Sequence, residues 1–169
     1  MDTNQFLNDI RSVNWKDFNG PQYYNENRVV TALEALAAVS DEDTSGFVPI
    51  GMQTEPIVLN GRVYDDVLFA IGNNHAGTYY PAVYKAIGFI MQVALEGTNE
   101  ISRNCAINIL IDLYHICPEQ NVMFPDEMYQ IKDFVKKFIL KNKENLIELS
   151  KRDPRNRKLI LEFVHDYLD

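Results

Sequence analysis

Two clusters of polar side chains interrupt a long apolar region of this chain, and both could do chemistry. The first is Asn73, Asn74 and His75, within the run 72–77, with Tyr79 and Tyr80 just beyond it. Amide, imidazole and phenol groups together donate and accept hydrogen bonds, and an imidazole titrates near neutral pH. The functional reading is a contact for a partner or ligand, or an enzyme site with His75 as general base. No nucleophile or orienting acid neighbours His75 in the sequence. The same residues also suit a stiff turn between helices, with Gly72 or Gly77 at positive φ and the Asn and His side chains tying off helix ends. The turn is the favoured reading.

The second cluster is Asn104, Asn108, Asp112 and His115. Their spacings of four, four and three put them in one narrow stripe on a helix that is otherwise almost wholly apolar. Such a stripe lies either on a concave binding surface or in a hydrogen-bonded ladder between packed helices. The spacing suits both equally.

Other chemistries find little support. Cys105, His115 and Cys117 do not make a closed ligand set, and no Cys-x-x-Cys or His-Glu-x-x-His run occurs. Asp41, Glu42 and Asp43 lack the spacing of a calcium loop. Gly-rich phosphate and dinucleotide motifs and the Gly-x-Ser-x-Gly elbow are absent. No metal and no cofactor are expected.

The elements that must position these residues are helical. Thr3 is placed to cap a short helix over 3–10. Gly20-Pro21 marks a turn, and Asn25 is placed to cap a helix over 26–39 whose Val29, Leu33, Leu36 and Ala37 share one face. Residues 40–62 break the pattern with Pro49, Gly51, Pro56 and Gly61, giving an irregular loop or a small hairpin insertion. Helices resume over 62–71, then 78–95 with Thr78 as cap, and 100–117. A further helix over 126–150 carries a break near Asn142-Lys143, and Asp153-Pro154 opens the last. The helices over 78–95 and 100–117 are apolar on more than one face, so each must be covered on two sides.

Composition agrees. The chain has 169 residues, 46% of them hydrophobic and 24% charged, enough for one domain over 1–169 with a sizeable core. Its net charge of −8 opposes binding to nucleic acid or anionic membranes and favours a basic protein partner. The basic run Lys151, Arg152, Arg155, Arg157 and Lys158 is flanked by Asp153 and Glu162 and reads as a polar inter-helix turn. Cys105 and Cys117 stand about 18 Å apart along one helix, too far to bridge, which points to reduced thiols and the cytoplasm. The N-terminus has no signal-peptide pattern, and no window of eighteen apolar residues occurs.

Trp15 with Gly20-Pro21, the helix 29–39, the block 74–82 with its His-x-Gly-Thr-x-Tyr pattern, Arg103 and Asp112-Leu113 together resemble the small HEAT-repeat-like proteins of bacteria. The likeness covers residues 12–117. It implies a short HEAT-like α-solenoid, or α-α superhelix, acting as a binding surface. Because relatives of this kind are often encoded beside toxins, it also implies an immunity-type inhibitor.

The expected protein is therefore all-α and non-enzymatic. It binds another protein of basic character through Asn73, Asn74, His75, Tyr79, Tyr80, Asn104, Asn108, Asp112 and His115. The alternative is a hydrolase or glycosylase-like enzyme on the same scaffold, centred on His75.

Overall fold

A computed structural model describes residues 1–18, 24–43, 58–73, 78–115 and 125–168. They form an all-α fold with one two-residue strand pair.

Capping side chains set the early helices. Asp2 accepts from the Gln5 amide and starts α1 (Thr3–Ser12), so the cap falls one residue before the expected Thr3. This helix buries Phe6 and Ile10, four positions apart. The 3-10 turn Trp15–Asp17 follows, and the Trp15 indole donates to the Ile10 carbonyl. Asn25 caps α2 (Glu26–Ala38) by accepting from the Asn27 and Arg28 amides, as its sequence position predicts. Asn60 does the same for α3 (Gly61–Ile71) through the Val63 amide.

After α3 the chain departs from the expected plan. Gly72–Asn73 (β1) pairs antiparallel with Thr78–Tyr79 (β2), and the Tyr80 amide donates to the Ile71 carbonyl. Thr78 is therefore in a ladder and does not cap a helix. The helix α4 starts five residues later, at Val83, and runs to Glu96. The backbone of Gly72 is extended, with φ −177°. Its lack of a side chain matters for a different reason from the expected positive φ: a Cβ there would sit 2.5 Å from the Thr78 carbonyl oxygen.

The remaining helices are α5 (Glu100–His115), α6 (Pro125–Lys141), α7 (Lys143–Arg152) and α8 (Arg157–Phe163), with a π-turn at Val164–Leu168. The break between α6 and α7 falls at Asn142, whose side chain donates to the Phe138 carbonyl. The last helix opens at Arg157. Asp153 instead closes α7, its amide donating to Leu149. Residues 44–57 and 74–77, which include most of the expected insertion, and Cys117 lie outside the described residues. The two stems of the insertion meet in a parallel bridge between Asp43 and Asn60.

The helices cover one another in order. α1 lies on α2, α2 packs against α3 and α4, and α4 packs against α5, α6 and α7. α3 and α6 also flank α5, and α8 lies on α7. Helix α4 buries Val83, Ala86, Ile87, Ile90, Met91, Val93 and Ala94, as its two apolar stripes predict. Each buried Val, Ile and Met among them contributes about 1.5–3 kcal/mol through apolar burial. Among the described residues, no helix is long and apolar enough to cross a membrane.

One glycine on α4 is not needed for packing. Gly88 is exposed in mid-helix, and a Cβ there would meet nothing within 4 Å. Gly88→Ala is expected to stabilise the protein by about 0.5–1 kcal/mol, because alanine gives up less backbone entropy in a helix. Denaturant unfolding checks this; a lower midpoint would refute it.

Candidate functional site

The stripe on α5 divides into an interior and a surface half. Asn104 and Asn108 are only 5% and 7% exposed. The Asn104 side-chain oxygen accepts from the Leu59 amide at 2.9 Å, and its nitrogen donates to the Asn156 side-chain oxygen at 3.0 Å. Asn108 donates to both the backbone and side-chain oxygens of Asn104. These two residues form a ladder that holds the 58–60 stem and the α7–α8 turn to α5. A partner cannot reach them without opening the fold.

The ladder continues into a buried ion pair. Arg103 donates through Nε to Asp153 at 2.6 Å, and through Nη1 to the Gly97 carbonyl at 2.8 Å. Asp153 is 2% exposed and also accepts from the Asn156 amide and side chain. Burial pushes its carboxyl pKa up, but the hydrogen bonds from Arg103 and Asn156 and the charge of Arg103 outweigh it and hold the group below the usual carboxylate range. Asn156 donates as well to the Glu100 carbonyl. On the outside of this knot, Arg155 pairs with Glu100 and Glu42, joining the α7–α8 turn to α5 and to the 41–43 stem.

Sequence reasoning does not find this network. Asn156 gives no local signal, and Arg103 meets Asp153 only across 50 positions of chain. The available sign is the helix cap at Asn99, which accepts from the Ile101 and Ser102 amides and fixes where α5 starts. Its side-chain nitrogen also donates to the Val39 carbonyl at the end of α2.

Farther along α5, Asp112 is half-buried and accepts from the Tyr64 hydroxyl of α3. Burial, then the charge of Asp112 and the hydrogen bond to it, raise the Tyr64 pKa far above its ordinary value, so this phenol stays a donor. The Asp112 carboxylate thus supports the α3–α5 contact. Asp112→Ala is expected to cost about 1–3 kcal/mol, since it leaves a buried hydroxyl unpaired. Unfolding of Asp112→Ala beside Tyr64→Phe tests this, and the pair should be non-additive. His115 is the one member of the stripe at the surface. Its Nδ1 lies 2.8 Å from the Ile111 carbonyl, and its ring meets the edge of Tyr167 at 4.2 Å between centroids.

The other expected contact residues fare differently. Asn74 and His75 lie outside the described residues, and the backbone of Asn73 belongs to β1. Tyr79 is 1% exposed, and its hydroxyl donates to the Leu113 carbonyl. Tyr80 is 6% exposed and packs edge-on against Tyr24; burial raises its pKa. Neither tyrosine presents a surface to a partner; together they seat the strand pair on α5 and on the segment before α2.

Little in the interior is poised to react. Cys105 is fully buried, and burial pushes its thiol up to about 11. It is expected to resist thiol-specific reagents at pH 8 in the folded protein and to label rapidly in denaturant, read by peptide mass spectrometry. Fast native labelling of Cys105 would contradict its placement. No cluster of three or more His, Cys, Asp or Glu that could hold a metal occurs among the described residues. A cleft of about 290 Å³ opens beside the ion pair, bounded by Leu95, Glu96, Leu149 and Arg152. Its two arginines face carbonyls at the end of α4, Arg103 toward Gly97 and Arg152 toward Leu95, where cations favour a helix C-terminus.

No family model matches the chain, and no match was found among curated proteins or solved structures.

Proposed function

We propose that this protein is a non-enzymatic protein-binding module whose α1–α3 side receives a basic partner. The observation that carries this is the distribution of charge. Residues 1–71 hold four Lys and Arg against eleven Asp and Glu, and so account for most of the net charge of −8. Arg11 and Arg28, two of those four cations, lie within salt-bridge distance of Glu34 and Asp66. A surface of one sign steers an opposite partner and raises its association rate.

The interior supports the same reading. Asn104, Asn108, Asp153 and Asn156, the polar groups closest to a buried site, bond to one another and to backbone. The close packing of the successive pairs α2–α3 and α4–α5 supports reading the fold as a short solenoid. With the resemblance to HEAT-repeat-like proteins, the partner of choice is a basic toxin, and the role an immunity-type inhibition.

The test is a pull-down with tagged protein from its native lysate, beside Asp41→Lys/Asp66→Lys, two exposed positions on this side. One stoichiometric basic partner, lost with the double variant, is the expected result. A partner toxic when expressed alone would give the inhibitor role. Equal capture by both proteins would exclude the acidic side, and no capture at all would turn attention to an enzyme centred on His75.

A further inference from the structure

The charge that α1–α3 lacks is gathered elsewhere. Residues 129–158 hold ten of the sixteen Lys and Arg and only four Asp and Glu. Along α7, α8 and the turn between them much of that charge is paired: Arg155 with Glu42 and Glu100, Lys151 with Glu148 and Lys158 with Glu162. On α6 it is not. Lys137 and Lys141 are exposed, four positions apart, and neither has a salt bridge among the described residues. Lys136 lies over the ring of Tyr114 at 5.0 Å, on the flank of the same helix.

The outer face of α6 also carries exposed apolar side chains, with the exposed Asp133 on the same side between them. Tyr129 is 45% exposed and Leu140 43%. They stand eleven residues apart, about three helical turns, and so project from the same side. Between helix α6 and α4, Tyr84 packs on Phe134 at 4.9 Å, and Phe134 on Phe138 at 6.0 Å, giving an aromatic seam beside the lysines. Tyr84 is itself 36% exposed. Four large apolar side chains are exposed among the described residues, and three of them belong to α4 and α6.

We infer that the outer face of α6 is a docking surface for a short acidic amphipathic helix of another protein. Its apolar side chains would seat between Tyr129 and Leu140, and its carboxylates would meet Lys137 and Lys141. Charge complementarity selects an anionic occupant, and the exposed Tyr and Leu select one that brings apolar groups too. Length selects a short one. The face from Tyr129 to Lys141 spans about 18 Å, and the residues just before it, 119–127, carry three carboxylates and no Lys or Arg. A nucleic acid or an anionic membrane would extend past the patch and meet a chain of net charge −8, whereas a helix of about twelve residues matches the patch in length. The surface lies on other helices than the acidic α1–α3 side, so it stands or falls independently of the partner proposed there. A chain with both surfaces would hold two partners of opposite charge at once.

The probe is a fluorescently labelled synthetic helix built from Leu and Glu repeats, titrated with the full chain and read by anisotropy. Binding is expected at low ionic strength. It should weaken about tenfold in Lys137→Glu/Lys141→Glu and severalfold in Leu140→Ser. Both variants change exposed positions, and circular dichroism and the unfolding midpoint should match those of the parent protein. Undiminished binding by the Lys variant would overturn the assignment. So would equal binding of a peptide with every Leu replaced by Ser, which would reduce the effect to bulk charge. Tighter binding of an oligothymidylate or of phosphatidylserine vesicles would overturn it in favour of those occupants.

Discussion

Asp153→Ala is expected to destabilise the protein by about 3 kcal/mol. The carboxylate is 2% exposed, and its removal leaves Arg103, itself mostly covered, as a buried charge facing only the Gly97 carbonyl. It also removes the acceptor for the Asn156 amide and one of the acceptors for its side chain. Asp153→Asn should cost less, because an amide can still accept from Arg103. Since the folded carboxyl pKa lies below its ordinary value, the stabilisation is present above about pH 4, the unfolded value, and is lost as pH falls through the folded one. The stability gap between the parent protein and Asp153→Asn should therefore narrow on going from pH 7 to pH 3. Urea unfolding at both pH values reads it; a gap that stayed constant would mean that the ionised form is not the one the fold selects.

Asn104→Leu is the second large effect, also about 3 kcal/mol. The substitution keeps the branched shape, though leucine is larger, and leaves the Leu59 amide, the Asn156 side-chain oxygen and one donor contact of Asn108 without their partner, at about 1–3 kcal/mol for each buried group that stays unpaired. Its signature is local. Hydrogen exchange at Leu59 and Gly61 should accelerate, because the 58–60 stem loses its tie to α5, while amides inside α4 keep their protection. Combined with Asp153→Ala the losses should not add, since both act through Asn156. If Asn104→Leu were as stable as the parent protein, the ladder would be dispensable.

Much of the helical plan is legible along the chain. Apolar spacing locates α2, α3, α4 and α5, Asn25 marks the start of α2, and Asn142 marks the break between α6 and α7. The strand pair at 72–79 is not legible, because two-residue ladders have no periodicity and Thr78 looks the same as a helix cap. The stripe on α5 is legible as a pattern but not in its meaning. Asn104 and Asn108 have the spacing of a surface and the burial of a core.

That division has a physical cause. Helix formation and one-sided burial depend on residues within one or two turns of each other, so the sequence by itself determined an all-α protein, the double-sided covering of α4, and the excess of negative charge in residues 1–71. Whether a polar side chain is a contact or a strut depends on what lies opposite, and for Asn104 and Arg103 that is Asn156 and Asp153, about fifty residues away. Only the tertiary structure decided that these groups are internal, that Asp112 serves Tyr64, and that Lys137, Lys141, Tyr129 and Leu140 are left facing outward together.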